Sequence, residues 1–372
     1  HTSGLRSIYS LLVMAGWRLD DVVTLEHVLK FTKQQKELNN TPGDEIIYSN
    51  TGFILLAEVV ARISKKSFAT YTKENIFEPL GMHHSLFYDN HEKIVKNRVY
   101  SYYSDSTGYK NAIWSFSTVG DGDLYTTAED LSLWSLNFSN LKIGSQDIIE
   151  KMNSPTVLNN GDTTEGALGQ FISTYKGLKE IYHDGGEAGF RAYLCRFPDQ
   201  KFSVIVLSND ETCDPYESAH QIVDIYLEDQ LEIEPKKEQI KKEVTSEVIH
   251  VEQNILDTYV GNFELAPDFI ITITNEDGIF LAQASDQDVL SLKALSTTEF
   301  KVKGVDAKIE FIPNEGSNIK LLKLHQDGQI QEALRVNEFD KNTVNLSTYT
   351  GSFYSEELLT TIQIKVVNNQ LV

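Results

Sequence analysis

The sequence predicts an α/β (α+β) protein in two parts: an antiparallel sheet flanked by helices, then an all-β, barrel-like C-terminal domain. Three observations carry this. Phe53 to Ile63 repeats apolar residues at threes and fours, the period of a helix with one buried face. Ile181 to Leu207 reads as strands around a Pro198-Asp199-Gln200-Lys201 turn. Beyond a charged stretch the period changes to two, with turn signals between short apolar runs. The expected divisions are residues 1–228, a charged linker at 229–255, a β-rich domain at 256–345, and a second, truncated β unit starting at 346.

In chain order, His1-Thr2-Ser3-Gly4-Leu5 is a turn before the apolar run Ile8 to Trp17. Thr24 is a helix N-cap, with Leu25, Val28, Leu29 and Phe31 on one face. The loop through Asn39, Asn40, Pro42 and Gly43 ends that helix and delivers Tyr48-Ser49-Asn50 to the start of the next. Polar groups placed just before a buried helix are held rigidly, although Tyr-x-Asn is a short pattern that recurs at Tyr88-Asp89-Asn90. Ser67 starts a short helix ending near Ile76, and Gly81-Met82 turns. His83, His84 and His91 fit no metal-ligand spacing and read as surface loop residues. Residues 88–119 are rich in Tyr and Ser with little periodicity. Gly120-Asp121-Gly122-Asp123 is too short for a calcium loop and lacks the closing glutamate, so it is a tight loop before a helix capped by Thr126 or Thr127. Pro215 to Leu227 is a helix with Ala219, Ile222, Val223, Tyr226 and Leu227 apolar. Leu256 to Phe263 recurs in weak form as Leu346 to Phe353, which marks the second β unit.

Composition narrows the partners. The chain has 372 residues, 41 per cent hydrophobic and 23 per cent charged, ordinary for a globular protein. A formal charge of −21 argues against nucleic acid or an anionic membrane surface. No apolar run is long enough for a membrane helix. Cys195 and Cys213 form no disulfide framework and no metal pattern, and Cys195 sits in an apolar strand as a buried thiol. No cofactor or metal is implied.

Five stretches, in order, resemble the serine β-lactamase and penicillin-binding-protein-like hydrolases, which include class C β-lactamases, D,D-peptidases and related esterases. They are His1-Thr2-Ser3-Gly4-Leu5; Tyr48-Ser49-Asn50 after Pro42-Gly43; Glu78-Pro79-Leu80-Gly81-Met82; Gly120 to Leu131; and His183-Asp184-Gly185-Gly186, which stands where the family has Lys-Thr-Gly or His-x-Gly. The resemblance covers residues 1–228, and the later β domain resembles the lipocalin-like domain that often follows such hydrolases. It implies that residues 88–119 form part of a cleft wall, and it implies a periplasmic or secreted parent. The family's nucleophile, the Ser of Ser-x-x-Lys, stands several dozen residues before the His-Thr-Ser-Gly-Leu segment, and this sequence starts at His1. The matches at Ser139-Lys142, Ser173-Lys176 and Ser317-Lys320 follow Tyr48, which is the wrong order. The chain is therefore expected to be a fragment of a hydrolase without its nucleophile.

A serine hydroxyl attacks only when a base takes its proton. The resemblance gives Tyr48 that shuttle role, which a phenol performs best with a cation beside it lowering its pKa. Asn50 would hold the lysine and a substrate carbonyl. His183 would bind a substrate carboxylate when charged or Tyr48 when neutral. The Gly186 N–H would donate to an oxyanion. Gly185, Gly186 and Gly189 either ease a strand bend or let a substrate carbonyl approach, and the resemblance favours approach. Asp184 would repel an acidic group, so an ester or D-amino-acid peptide suits the site better than a β-lactam. The alternative is a non-catalytic cleft that binds peptidoglycan-type peptides or other small molecules. The C-terminal barrel, in turn, is either a ligand cup or a packing module.

Overall fold

The computed structural model describes all residues except 19, 233–250, 267–268, 277–278, 286, 288, 304, 306, 314–318, 327–328, 337–343 and 369. Most of the expected charged linker, the turn residues Asp277-Gly278, Asn314-Glu315-Gly316 and Asp327-Gly328, and Ser317 lie outside the described residues. The chain forms two compact units. One is His1–Glu234 with Thr350–Lys365 and Val372; the other is Pro235–Tyr349 with Val366–Leu371.

In the first unit, α1 (Ile8–Met14), α2 (Leu25–Gln34) and α3 (Asn50–Ser64) meet through Ile8, Leu11, Leu12, Val28, Phe31 and Ile54, with Phe116 among them. Fully burying side chains of this size contributes roughly 1.5–3 kcal/mol each. Thr24 starts α2 as its sequence suggests, and its N–H donates to His27 Nδ1 at 3.2 Å. α4 (Phe68–Thr72) begins at Ser67 but does not stop near Ile76. A π turn over Lys73–Phe77 leads into α5 (Glu78–Leu80). Pro79 has no N–H for an i→i−4 bond, and the wider turn immediately precedes it.

Two short pairings follow: β1 (Leu86–Phe87) with β4 (Leu124–Tyr125), and β2 (Ser101–Asp105) with β3 (Gly108–Ala112). Thr127 caps α6 (Ala128–Asn137), accepting the Asp130 N–H at 3.2 Å, which decides between the two candidate caps. α7 (Gln146–Met152) precedes a four-stranded antiparallel sheet in the order β5 (Phe171–Tyr175), β6 (Leu178–Glu187), β7 (Phe190–Phe197), β8 (Phe202–Ser208). α8 (Pro215–Tyr226) lays Ala219 and Val223 on Tyr193, Cys195, Phe197 and Val204. Cys195 is a buried free thiol, as its surroundings in the sequence suggest, and burial pushes its pKa up. The outer side of α8 departs from expectation: Tyr226 is 71 per cent exposed.

The turn between β6 and β7 shows what a glycine does here. A Cβ on Gly189 would stand 2.4 Å from the Tyr102 carbonyl oxygen. The Gly189 N–H donates to Ser101 Oγ at 3.1 Å. This glycine answers a packing demand. Gly189→Ala is expected to destabilise the first unit by about 1–3 kcal/mol, as overpacked sites do, read as a lower thermal midpoint. An unchanged midpoint would refute that close approach.

The second unit is a closed antiparallel barrel of eight strands: β9 (Gly261–Ala266), β10 (Phe269–Glu276), β11 (Ile279–Ala284), β12 (Leu290–Ala294), β13 (Glu299–Val302), β14 (Ala307–Pro313), β15 (Ile319–Gln326) and β16 (Gln329–Val336), the last pairing back to β9. Closure leaves no open edge. Phe263, Phe280, Phe300 and Phe311 fill the interior, and Tyr259 of α9 (Gln253–Tyr259) stacks on Phe311 at 4.2 Å. A barrel this small is filled by such side chains, which favours a packing module over a ligand cup.

The sequence repeat is also a local structural repeat. A helical turn precedes β9, and another at Leu346–Tyr349 precedes β17 (Gly351–Ser355). Strand β17 pairs with β18 (Thr360–Ile364), and β19 (Val366–Val367) pairs with β20 (Gln370–Leu371). The β17–β18 hairpin belongs to the first unit. Its Leu358 enters the cluster around Ile8 and Phe31, and Glu357 meets Arg6 at 3.2 Å.

Candidate active site

Tyr48 and Asn50 stand at the start of α3. Asn50 is the first helical residue, not a loop residue before the helix, and Ser49 is the N-cap, its Oγ accepting the Gly52 N–H at 3.4 Å. Ser49 is therefore a structural residue within the motif. His1 fixes the motif from the other side. Its Nδ1 accepts the Ser49 N–H at 3.1 Å, its carbonyl accepts the Ile47 N–H at 2.9 Å, and its ring stacks on Tyr48 at 4.0 Å. That stack has no signature in the chain's local pattern, because 47 positions separate the two rings.

His183 reaches the same place from β6. Its ring lies 6.4 Å from Tyr48 and 5.5 Å from Phe171. Its Nδ1 donates to the Asp184 carbonyl at 2.5 Å, which leaves Nε2 to face a ligand. Strand β6 is bonded to β7 through Glu187, but its pairing with β5 ends at Tyr182. From His183 to Glu187 one edge of β6 is therefore open, with backbone groups unpaired to any neighbouring strand.

Gly185 and Gly186 lie in this stretch. A Cβ there would meet only ordinary contacts, Ala192 at 3.6 Å and Arg191 at 3.7 Å, and neither residue has left-handed backbone. The fold does not demand glycine at these two positions, in contrast to Gly189. Of the two readings the sequence left open, this supports approach by a ligand. Asp184 is exposed beside them.

The electrostatics run against the simplest expectation for Tyr48. Burial pushes its pKa up, and Asp184, Asp121 and Glu187 push it further in the same direction. In this chain the phenol stays protonated at neutral pH. The source is a group of carboxylates that sequence reasoning missed. Asp121 and Asp123 sit in the loop read only as a tight turn, and Glu187 ends β6. Burial raises Asp123 to about 9, with repulsion from Glu187 and Asp121 added, and Glu187 to about 7, with repulsion from Asp121 added; burial raises Asp121 as well. The signal available in the sequence was the doubled acid in Gly-Asp-Gly-Asp.

The Ser-x-x-Lys matches are engaged elsewhere. Ser173 Oγ donates to Glu180 at 3.0 Å, and Lys176 Nζ to Asp224 at 2.6 Å. Ser139 Oγ donates to the Leu136 carbonyl. A groove of about 460 Å³ along α2, lined by Leu25, Glu26, Leu29, Lys30, Lys33 and Gln34, carries no comparable acid–base set.

Comparison with known proteins identifies the family. Residues 1–226 match the family described as Beta-lactamase. The chain is 27 per cent identical to Penicillin-binding protein 4* of Bacillus subtilis (strain 168) over 354 residues, 90 per cent of this chain and 76 per cent of that one. It is 24 per cent identical to a D-aminopeptidase of Cereibacter sphaeroides over 209 residues, 56 per cent of this chain and 40 per cent of that protein's length. Among solved structures, the octameric penicillin-binding protein homologue from Pyrococcus abyssi shares the fold with a TM-score of 0.56 at 21 per cent identity, over 90 per cent of this chain and 76 per cent of that one. With well over half its length inside the family match, the chain belongs to the beta-lactamase family of serine β-lactamase and penicillin-binding-protein-like hydrolases.

Proposed function

We propose that this chain carries the acid–base half of an acyl-serine hydrolase site for an ester or a D-amino-acid peptide, and that it is inactive as written. The observation that carries the reading is the approach of the Tyr48 and His183 rings, with Asn50 at the start of α3, beside an open edge of β6 that carries Gly185 and Gly186. With a Ser-x-x-Lys supplied, the lysine ammonium would lower the Tyr48 pKa and let the phenol pass the serine proton to the leaving group. Asn50 would hold that lysine and the substrate carbonyl, and His183 Nε2 would bind the substrate. The Gly186 N–H would be one of two oxyanion donors, with Asp184 and Gly185 lining the approach. Exposed Asp184 disfavours substrates with a carboxylate at that point, and so disfavours penicillin-type recognition. The similarity to a penicillin-binding protein and a D-aminopeptidase supports peptide substrates and a location outside the cytoplasm. No described helix is long and apolar enough to cross a membrane.

Intact-mass spectrometry after incubation with a fluorophosphonate or a penicillin probe tests the inactivity, and no adduct is expected. A labelled serine would overturn it. The raised pKa of Tyr48 favours a second reading, a binding site for peptidoglycan-type peptides. A polypeptide supplying Ser-x-x-Lys separates the two: recovered ester hydrolysis that is lost in Tyr48→Phe means enzyme, and binding without turnover means binder.

A further inference from the structure

Asp121, Asp123 and Glu187 share one corner of the first unit. Asp123 is 4 per cent exposed, and its Oδ1 has no hydrogen-bond partner. Its other oxygen accepts the Trp114 Nε1–H at 3.4 Å. Glu187 Oε2 accepts the Asp123 N–H at 3.4 Å, and Asp121 Oδ2 accepts the Tyr9 hydroxyl at 2.5 Å. The loop is pressed against the glutamate: a Cβ on Gly122 would lie 2.0 Å from Glu187 Oε1. Among the described residues, no lysine, arginine or histidine forms an ion pair with any of the three. Arg98 attenuates Asp123 from a distance but sets its guanidinium against Tyr88, Tyr100 and Tyr125 at 4.9, 5.6 and 5.1 Å.

Three carboxylates without a cation, one buried and two half-buried, are costly to the fold. Such arrangements concentrate where a ligand or a reaction uses them. The charge that would relieve this corner is positive and comes from outside, because Asp121 and Glu187 are partly accessible while Asp123, with its unpartnered Oδ1, is buried. Side chains alternate along a strand, so His183, Gly185 and Glu187 share one face of β6, with no side chain between the outer two. Asp121 and Glu187 already act on the Tyr48 phenol. A ligand held at Tyr48 and His183 can therefore run along β6 and end at these carboxylates. No group of three or more His, Cys, Asp or Glu side chains converges as a metal-ligand set among the described residues. An organic ammonium, which needs acceptors but no closed coordination shell, fits the arrangement better.

We infer that the corner formed by Asp121, Asp123 and Glu187 binds the primary ammonium group of the ligand that occupies the Tyr48–His183 site. This rests on the hydrolase reading above and sharpens its substrate class to amides or esters with a free amino end, as on an unblocked peptide. Glu187 and Asp121 accept ammonium N–H groups, and the unpartnered Asp123 Oδ1 is a further acceptor.

The test uses the full chain, ¹⁵N-labelled, and follows backbone resonances of Gly122, Asp123 and Glu187 and of Tyr48 and His183. Methylammonium chloride is titrated against sodium chloride at matched ionic strength. D-alanyl-D-alaninamide is then compared with its N-acetyl form. Saturable shifts of the loop resonances by methylammonium are expected, weakened about tenfold in Glu187→Gln, the size of one charge-assisted hydrogen bond. The amine-bearing peptide is expected to bind about tenfold more tightly than the acetylated one and to shift both groups of resonances. A thermal midpoint of Glu187→Gln at or above the parent's confirms that the variant folds. Absence of a saturable methylammonium effect, or equal binding of the two peptides, overturns the inference. So does calcium chloride producing the same shifts at lower concentration, which would make the corner a metal site. Methylammonium binding that Glu187→Gln abolishes, with neither peptide reaching Tyr48 or His183, keeps the ammonium site and removes the hydrolase reading.

Discussion

His220→Ala is expected to lower the stability of the first unit by about 3–5 kcal/mol, the range for breaking one side of a buried ion pair. His220 and Glu180 are each 2 per cent exposed. His220 Nε2 stands 3.0 Å from Glu180 Oε1, at ion-pair distance although outside hydrogen-bond geometry. His220 Nδ1 donates to the Tyr216 carbonyl one helical turn back, which fixes the ring. Glu180 also accepts the Ser173 hydroxyl at 3.0 Å and the Tyr193 hydroxyl at 3.1 Å. Burial pushes the Glu180 pKa up, but His220 and the two hydroxyls outweigh it, and the net shift is downward. The sign follows. A carboxylate with a depressed pKa stabilises the fold above its ordinary value of 4.5 and loses that contribution as pH falls through the folded value. Without His220 the carboxylate keeps its burial cost and loses its largest relief. Urea unfolding at neutral pH should show the loss, and the gap between parent and variant should narrow as pH falls, because only the parent loses the contribution of a depressed Glu180. A variant as stable as the parent would refute the pairing.

The corner around Asp123 has the opposite sign. Asp123 raised to about 9 and Glu187 raised to about 7 hold protons in the folded state that the unfolded chain has already released. Their contribution is complete below the ordinary carboxylate values and is lost as pH rises toward the folded ones. Each titrating group costs on the order of 1.4 kcal/mol per pH unit across that window. The first unit is therefore expected to lose stability between about pH 5 and pH 9. Asp123→Asn should reduce that slope and raise the thermal midpoint at the alkaline end, because the amide needs no proton to be neutral. Parallel profiles for parent and variant would refute the burial of a repelled carboxylate there. Because Glu180 and this corner act in opposite pH ranges, the two variants separate cleanly.

What the sequence made legible was local. Arg191 to Phe197 alternates and Phe202 to Leu207 runs back after a Pro-Asp turn, and β7 and β8 follow; Thr24 and Thr127 cap the helices their side chains allow. Among the barrel strands that escaped notice, β12 (Leu-Ser-Leu-Lys-Ala) and β13 (Glu-Phe-Lys-Val) are short and hold too few alternations to stand out from a loop. At the site, Tyr48, Asn50 and His183 were named from motif resemblance, and the structure brings the Tyr48 and His183 rings within reach of one another. The carboxylate corner was not legible, because 64 positions separate Glu187 from the Asp123 N–H it accepts. A pKa set by proximity and burial belongs to the folded chain and has no signature in composition.

The β17–β18 hairpin sets an order of events during synthesis. Lys36 bonds Glu356, 320 positions later, and Arg6 bonds Glu357, 351 positions later. At about 5–20 residues per second, roughly 16–64 seconds pass between the emergence of Lys36 and that of its partner. The eight strands of the barrel, paired mostly to sequence neighbours, can close before the first unit has its last piece. Through that interval the surface that will receive Leu358, around Ile8 and Phe31, is open on the ribosome. A chain released early would present it to chaperones and proteases.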